Sequence, residues 1–177
     1  GSFETATIHY AVAKIFGPLL FGRGWCGYAC WTAMVLDFLP YPVPQEPRKK
    51  IGWIRYLTFA ASLIFVAALF VAQVANIEDI MFWAFITGNA VYYALGIALA
   101  FAFKDNRAFC KYICPIGTLT RTFSKVSFTW LGTYEGSCQR CKTFDCSKAC
   151  SYNLKPFSFN TKASMGDCTL CMSCAQS

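Results

Sequence analysis

The groups in this chain best suited to chemistry are its eleven cysteines, and their spacing divides them into two sets. Seven fall in the last forty residues, as Cys138-x2-Cys141-x4-Cys146-x3-Cys150 and then Cys168-x2-Cys171-x2-Cys174. Three thiolates within seven residues suit one face of an iron–sulfur cube, which draws several ligands from one tight loop. Structural zinc sites take cysteines in separated pairs, so a third cysteine so soon after a pair argues against zinc. Disulfides are disfavoured too, because neighbouring cysteines on one loop are poorly placed to bridge each other. The other four cysteines form two Cys-x3-Cys motifs, Cys26/Cys30 and Cys110/Cys114. On a helix, residues i and i+4 share a face, so each pair could point at one ligand. Together the four thiols could hold a further cluster; free thiols or a redox disulfide is the alternative.

In two-cluster ferredoxins the fourth cysteine of each run ligates the other cluster. By that rule Cys150 completes the cluster of Cys168, Cys171 and Cys174. Cys138, Cys141 and Cys146 then need a partner three residues beyond Cys174, one position past Ser177. The expectation is that the natural chain continues and supplies it. The pattern departs from the usual one at the four residues between Cys141 and Cys146, and at Ser151, where proline is customary.

The elements that must position these thiols read as membrane-embedded. The chain is 56% hydrophobic and only 14% charged, against about 25% charged residues in a soluble domain. Residues 56–75 and 80–103 carry no charge, and each is long enough to cross a bilayer core as a helix. Asn76-Ile77-Glu78-Asp79 is the turn of a transmembrane hairpin, and the small residues Gly88 and Gly96 suit close helix packing. Arg48, Lys49, Lys50 and Arg55 precede the hairpin, and Lys104, Arg107, Lys111, Arg121 and Lys125 follow it. By the positive-inside rule both flanks, and every cysteine, lie on the cytoplasmic side. The net charge of +7 is flank charge rather than a nucleic-acid footprint, although Arg23, Lys104, Arg107 and Lys111 could also offset thiolate charge or bind lipid phosphate.

An amphipathic stripe over residues 8–20 predicts a helix that Gly17-Pro18 bends or ends. The segment from Asp37 to Lys50, with Pro40, Pro42, Pro44 and Pro47, reads as an extended basic loop. Val126 to Tyr134 loosely alternates and predicts a short strand leading into the tail. His9 is the single histidine, which excludes a bis-histidine haem within the chain. The expected fold is thus a mainly α membrane protein. Residues 1–125 form a membrane domain with a transmembrane helical hairpin, and residues 126–177 form a small α+β bacterial-type two-cluster ferredoxin tail.

The order Gly-Arg-Gly-Trp-Cys-Gly-Tyr-Ala-Cys (residues 22–30), a hairpin, Phe-Cys-Lys-Tyr-Ile-Cys-Pro-Ile-Gly (109–117) and paired cysteine runs resembles the membrane-bound polyferredoxins of the NapH, NosR and CcoG type. The likeness runs from about residue 20 to the end. In that group both Cys-x3-Cys motifs end in proline; Cys114-Pro115 conforms and Cys30-Trp31 departs. The resemblance implies two [4Fe-4S] clusters in a cytoplasmic tail, further spans upstream, and electron transfer, often from a quinol, to a partner protein.

No Gly-rich phosphate loop, nucleotide fingerprint or Ser-His-Asp set accompanies the cysteines, so no residue is assigned a catalytic role. The leading expectation is a multi-pass subunit of the cytoplasmic membrane that passes single electrons through two clusters, with a third at Cys26, Cys30, Cys110 and Cys114 as an extension. Its expected partners are lipid, other redox subunits or a soluble carrier, and a quinone, with no nucleic acid. The alternative is a copper or thiol reductase built on the paired motifs, since soft thiolates favour Cu(I).

Overall fold

A computed structural model describes residues 2–72, 77–132, 143–159 and 165–176. Among these residues the chain is helical and contains no strand. In order it runs α1 (Ser2–Phe21), α2 (Gly24–Tyr28), α3 (Trp31–Asp37), α4 (Ile54–Val71), α5 (Ile77–Phe103), α6 (Ala108–Tyr112), α7 (Pro115–Ser124) and α8 (Asp145–Lys148), with 3-10 turns at Pro156–Ser158 and Ser173–Ala175.

The long helices form where apolar residues run without interruption. Within α5, Asp79–Phe103 is long and apolar enough to cross a membrane, with mean hydropathy 1.5. The apolar part of α4, Ile54–Leu69, is shorter. Both helices turn large side chains outward, among them Ile64, Phe65, Trp83 and Phe85. They do not pack along each other as the expected hairpin would. Instead α4 lies on α7 and α6, while α5 lies on α6 and α3. At the α5–α3 contact, Gly96 admits Leu36, whose Cδ2 would stand 3.0 Å from any added Cβ. The turn at 73–76 lies outside the described residues.

Of the bend or end expected at Gly17-Pro18, the end does not occur: α1 continues through both residues to Phe21. The strand expected over Val126–Tyr134 does not form over 126–132, because its amides are already engaged. Phe128 N–H donates to the Leu19 carbonyl (2.9 Å) and Thr129 N–H to the Leu20 carbonyl (3.1 Å). These bonds satisfy the orphan carbonyls at the end of α1, which would otherwise lack partners.

The helices fall into two similar halves. Each has a long helix, a five-residue helix and a third helix: α1–α2–α3, then α5–α6–α7. The long helix of each half packs on the last helix of the other, α1 on α7 and α5 on α3. The two short helices are linked by Arg107, the cap of α6, which donates to the Cys26 carbonyl in α2 (3.2 Å). The proline-rich loop between the halves is pinned by Asn106, which donates to the Leu39 carbonyl (2.7 Å) and accepts from Tyr41 N–H (3.0 Å). The buried core is Leu36, Phe109, Cys110 and Tyr152, with Cys114, Cys150 and Leu154 packed against it.

Candidate iron–sulfur centre

The two halves repeat a longer motif than Cys-x3-Cys. Arg23-x2-Cys26-x-Tyr28-x-Cys30 matches Arg107-x2-Cys110-x-Tyr112-x-Cys114. In both copies the arginine caps the short helix, at φ −87°, ψ 17° for Arg23 and φ −97°, ψ 11° for Arg107. The first cysteine lies inside that helix. The second caps the next helix in an extended conformation, with ψ 115° at Cys30 and 114° at Cys114. The i, i+4 helical geometry expected of each pair is thus replaced by a break between two helices.

The four thiols converge. Burial pushes the Cys110 thiol up to about 12, and Cys114, Cys30 and Cys26 add to the rise while Arg107 opposes it. Cys114 is raised by burial as well, with Cys26 and Cys30 contributing. Arg107 donates to the Cys26 carbonyl (3.2 Å) and pairs with Asp37. One second-half side chain thereby ties the two motifs together. Thr120 lies 3.9 Å from the Cys26 sulfur.

A second thiol site lies beside the first. Cys150, Cys168, Cys171 and Cys174 line one cavity with Tyr152, Leu154 and Leu170. Helix α8 packs on both 3-10 turns, which brings Cys146 and Cys150 toward Cys174. The Cys174 thiol is raised by burial and then by Cys150, Cys171 and Cys146. Between the cysteines, Leu170 and Met172 adopt left-handed backbone, φ 54° and 61°. That conformation costs a side-chain-bearing residue of the order of 1–2 kcal/mol and persists where a site over-determines it. It winds the loop so that backbone and hydroxyl donors face sulfur. Leu170 N–H donates to Cys168 Sγ (3.4 Å), Leu154 N–H to Cys150 Sγ (3.4 Å) and Ser173 Oγ to Cys171 Sγ (3.5 Å).

The two sites are joined by a buried carboxylate. Asp167, next to Cys168, accepts from Arg23 (2.8 Å) and Arg55 (3.0 Å) on Oδ1 and from Arg48 (2.8 Å) on Oδ2, with Arg121 Nε at 3.6 Å. Burial alone would raise this carboxyl; the four guanidiniums outweigh it and hold it well below the usual carboxylate range. Tyr28 donates to the Leu170 carbonyl (2.9 Å). A Cβ on Gly27 would stand 2.7 Å from the Thr169 carbonyl oxygen, so the first motif presses directly on the second loop.

Several cations read from sequence as membrane-flank charge are internal. Arg23, Arg55, Arg107 and Lys111 are buried, Lys111 against Asp105. Lys50, Lys104 and Lys125 stay exposed. The sequence reading missed Asp167 and Tyr152. The signal available for the first was the arginine repeated three residues before each motif; Tyr152 carried none. Cys138 and Cys141 lie outside the described residues.

The 4Fe-4S binding domain family matches residues 7–53 and 81–133, more than half of the chain. The chain belongs to that family. The matched segments hold Cys26 and Cys30 in one and Cys110 and Cys114 in the other, so they follow the two structural halves. Two uncharacterized proteins of Methanocaldococcus jannaschii are similar to it. One is 26% identical over 90% of this chain and 70% of its own length; the other is 24% identical over 96% and 66%. Protein NirI of Paracoccus denitrificans is 26% identical over 92% of this chain, which spans 26% of NirI. No solved structure matches.

The residues present fit iron–sulfur clusters. Among the described residues no three Cys, His or carboxylate side chains close on one point as a single metal ion would require. In a cubane each thiolate meets a different iron, and donors to sulfur surround the thiolates. At the 168–174 loop and at Cys150, N–H and O–H donors do face the sulfurs.

Proposed function

We propose that the chain is a membrane-anchored electron-transfer subunit with at least two [4Fe-4S] sites side by side. One would be held by Cys26, Cys30, Cys110 and Cys114, the other by Cys150, Cys168, Cys171 and Cys174. The observation that carries this reading is the convergence of the two Cys-x3-Cys motifs from opposite halves of a 4Fe-4S binding domain. Cys138, Cys141 and Cys146 belong on this reading to a further cluster of the tail.

Bound clusters would supply one-electron redox chemistry, with potentials set by charge, hydrogen bonds and exposure. The chain's own residues do the rest. Arg107 and Arg23 place positive charge beside the first thiol set, which favours anionic ligands there. The N–H and O–H donors of the 168–174 loop do the same at the second. The packing of Gly27 on Thr169 holds the two sites against each other. Exposed apolar faces on α4 and α5 suit lipid or further spans. The natural donor would be a quinol or a cytoplasmic carrier, and the acceptor a partner redox protein.

The test is anaerobic iron and acid-labile sulfide counting with EPR on the full-length protein and two variants. Cys26→Ser should lose about four irons and one reduced signal, and Cys150→Ser should lose a different one. Zinc without sulfide, or full iron retention in Cys26→Ser with lost copper reduction, would defeat the proposal; the second result supports a copper reductase.

A further inference from the structure

Tyr152 touches both thiol sites. It lines the cavity of Cys150, Cys168, Cys171 and Cys174, and it packs in the core beside Cys110 with Cys114 against it. Only 2% of the residue is exposed, and its hydroxyl has no hydrogen-bond partner among the described residues. A buried hydroxyl without a partner is costly, so its position calls for an acceptor. Its ring is bracketed by cations, with Arg23 Cζ 5.3 Å and Lys111 Nζ 5.6 Å from the centroid. Such a setting favours an anionic acceptor at the phenol.

We infer that, when Cys26, Cys30, Cys110 and Cys114 hold a cluster, the Tyr152 hydroxyl donates a hydrogen bond to it on its Cys110 side and so raises its reduction potential. This rests on the reading of Cys26, Cys30, Cys110 and Cys114 as cluster ligands. Adding one electron makes a cluster more negative, and a donor to sulfur stabilises that state more than the oxidised one. The aromatic body, meanwhile, fills the space between the two sites.

The test is an EPR-monitored redox titration of the full-length, iron-loaded protein, with the first cluster's signal assigned by its absence in Cys26→Ser. Tyr152→Phe keeps the ring and removes the hydroxyl. Iron and sulfide should be unchanged, and the second cluster's potential should hold. The reduction equilibrium of the first cluster should weaken about tenfold, which is about 59 mV for a one-electron couple. An intact first cluster with an unmoved potential overturns the inference, as does iron loss or an equal shift of both clusters, which would make the hydroxyl structural. Replacing Tyr152 by 3,5-difluorotyrosine, a stronger donor of nearly the same shape, should move the potential upward; no movement overturns the inference independently. A wild-type protein with no cluster at the first site would overturn this inference together with the reading beneath it.

Discussion

Asp167→Asn should be among the most destabilising single-atom changes available to this protein. The substitution keeps the side chain's shape and removes one charge. Two of its partners, Arg23 and Arg55, have side chains 1% and 2% exposed. The other two, Arg48 and Arg121, are 23% and 31% exposed, and solvent screens them, so each contributes at most about 1 kcal/mol. The loss is therefore dominated by two buried guanidiniums left without a counter-charge. Breaking a buried pair in this way costs about 3–5 kcal/mol, a large share of the roughly 5–15 kcal/mol that holds a typical fold together. The assay is thermal unfolding in detergent, with a fall in midpoint of the order of 10 °C. In the double variant with Arg55→Met, part of the loss should return because one uncompensated buried cation is gone. The pH dependence has a definite sign. A carboxyl depressed in the folded state contributes fully above its unfolded value, about 4, and loses that contribution only as pH falls toward its lower folded value. Wild type and variant should therefore differ by a constant amount from pH 5 to 8 and converge in acid. A loss under about 1 kcal/mol, or one that the second substitution only deepens, would refute the reasoning.

The other predictions concern the contact between the sites and the thiols themselves. Gly27→Ala puts a Cβ 2.7 Å from a backbone oxygen that cannot swing aside; it should cost about 1–3 kcal/mol in the same unfolding assay, whereas Gly88→Ala, with nothing within 4 Å, should not destabilise. In iron-free protein at pH 8, Cys171 should be alkylated well before Cys110, as read by mass spectrometry. At Cys171 the Ser173 N–H and nearby hydroxyls outweigh burial and lower the thiol, whereas burial drives Cys110 up to about 12, and only the thiolate reacts. Equal rates at the two positions would contradict that ordering.

Much of this architecture was legible because cysteine spacing is local. Cys168, Cys171 and Cys174 are held by one loop, so their sequence alone points to a cluster, and the loop's left-handed Leu170 and Met172 are how the backbone accomplishes it. The long apolar runs likewise predict α4 and α5, since apolar length is a property of the segment itself. What was not legible depends on pairings across the chain. Cys26 and Cys30 look like an i, i+4 pair until a helix break, aligned with the one at Cys114, separates them. The alternation over 126–132 suggests a strand, but the end of α1 offers its amides a nearer set of acceptors. Arg55 and Lys111 look like flank charges because nothing local reveals Asp167 and Asp105 as their partners. A hydrophobic hairpin was inferred from adjacency in sequence, yet α4 finds its neighbours in α7 and α6, and α5 in α6 and α3.

The duplication also explains why the tail sits where it does. In two equivalent halves, the motif arginines should make equivalent contacts across the pseudo-twofold. Arg107 does so: it reaches the Cys26 carbonyl and Asp37 of the first half. Arg23 lies 3.4 Å from the point where Gly117 would carry a side chain, so it too reaches the other half, but its charge is satisfied by Asp167 of the tail. The motif tyrosines diverge in the same way, with Tyr112 accepting from Lys49 N–H of the connecting loop and Tyr28 donating to Leu170 of the cysteine loop. The first copy of the motif has thus been turned outward as a docking surface, while the second closes the centre. A cysteine loop attached through Asp167 and Leu170 is held against the first thiol set by groups that the repeat already provided. Adjacency of the two sites follows from that asymmetry, without any added linker or domain interface.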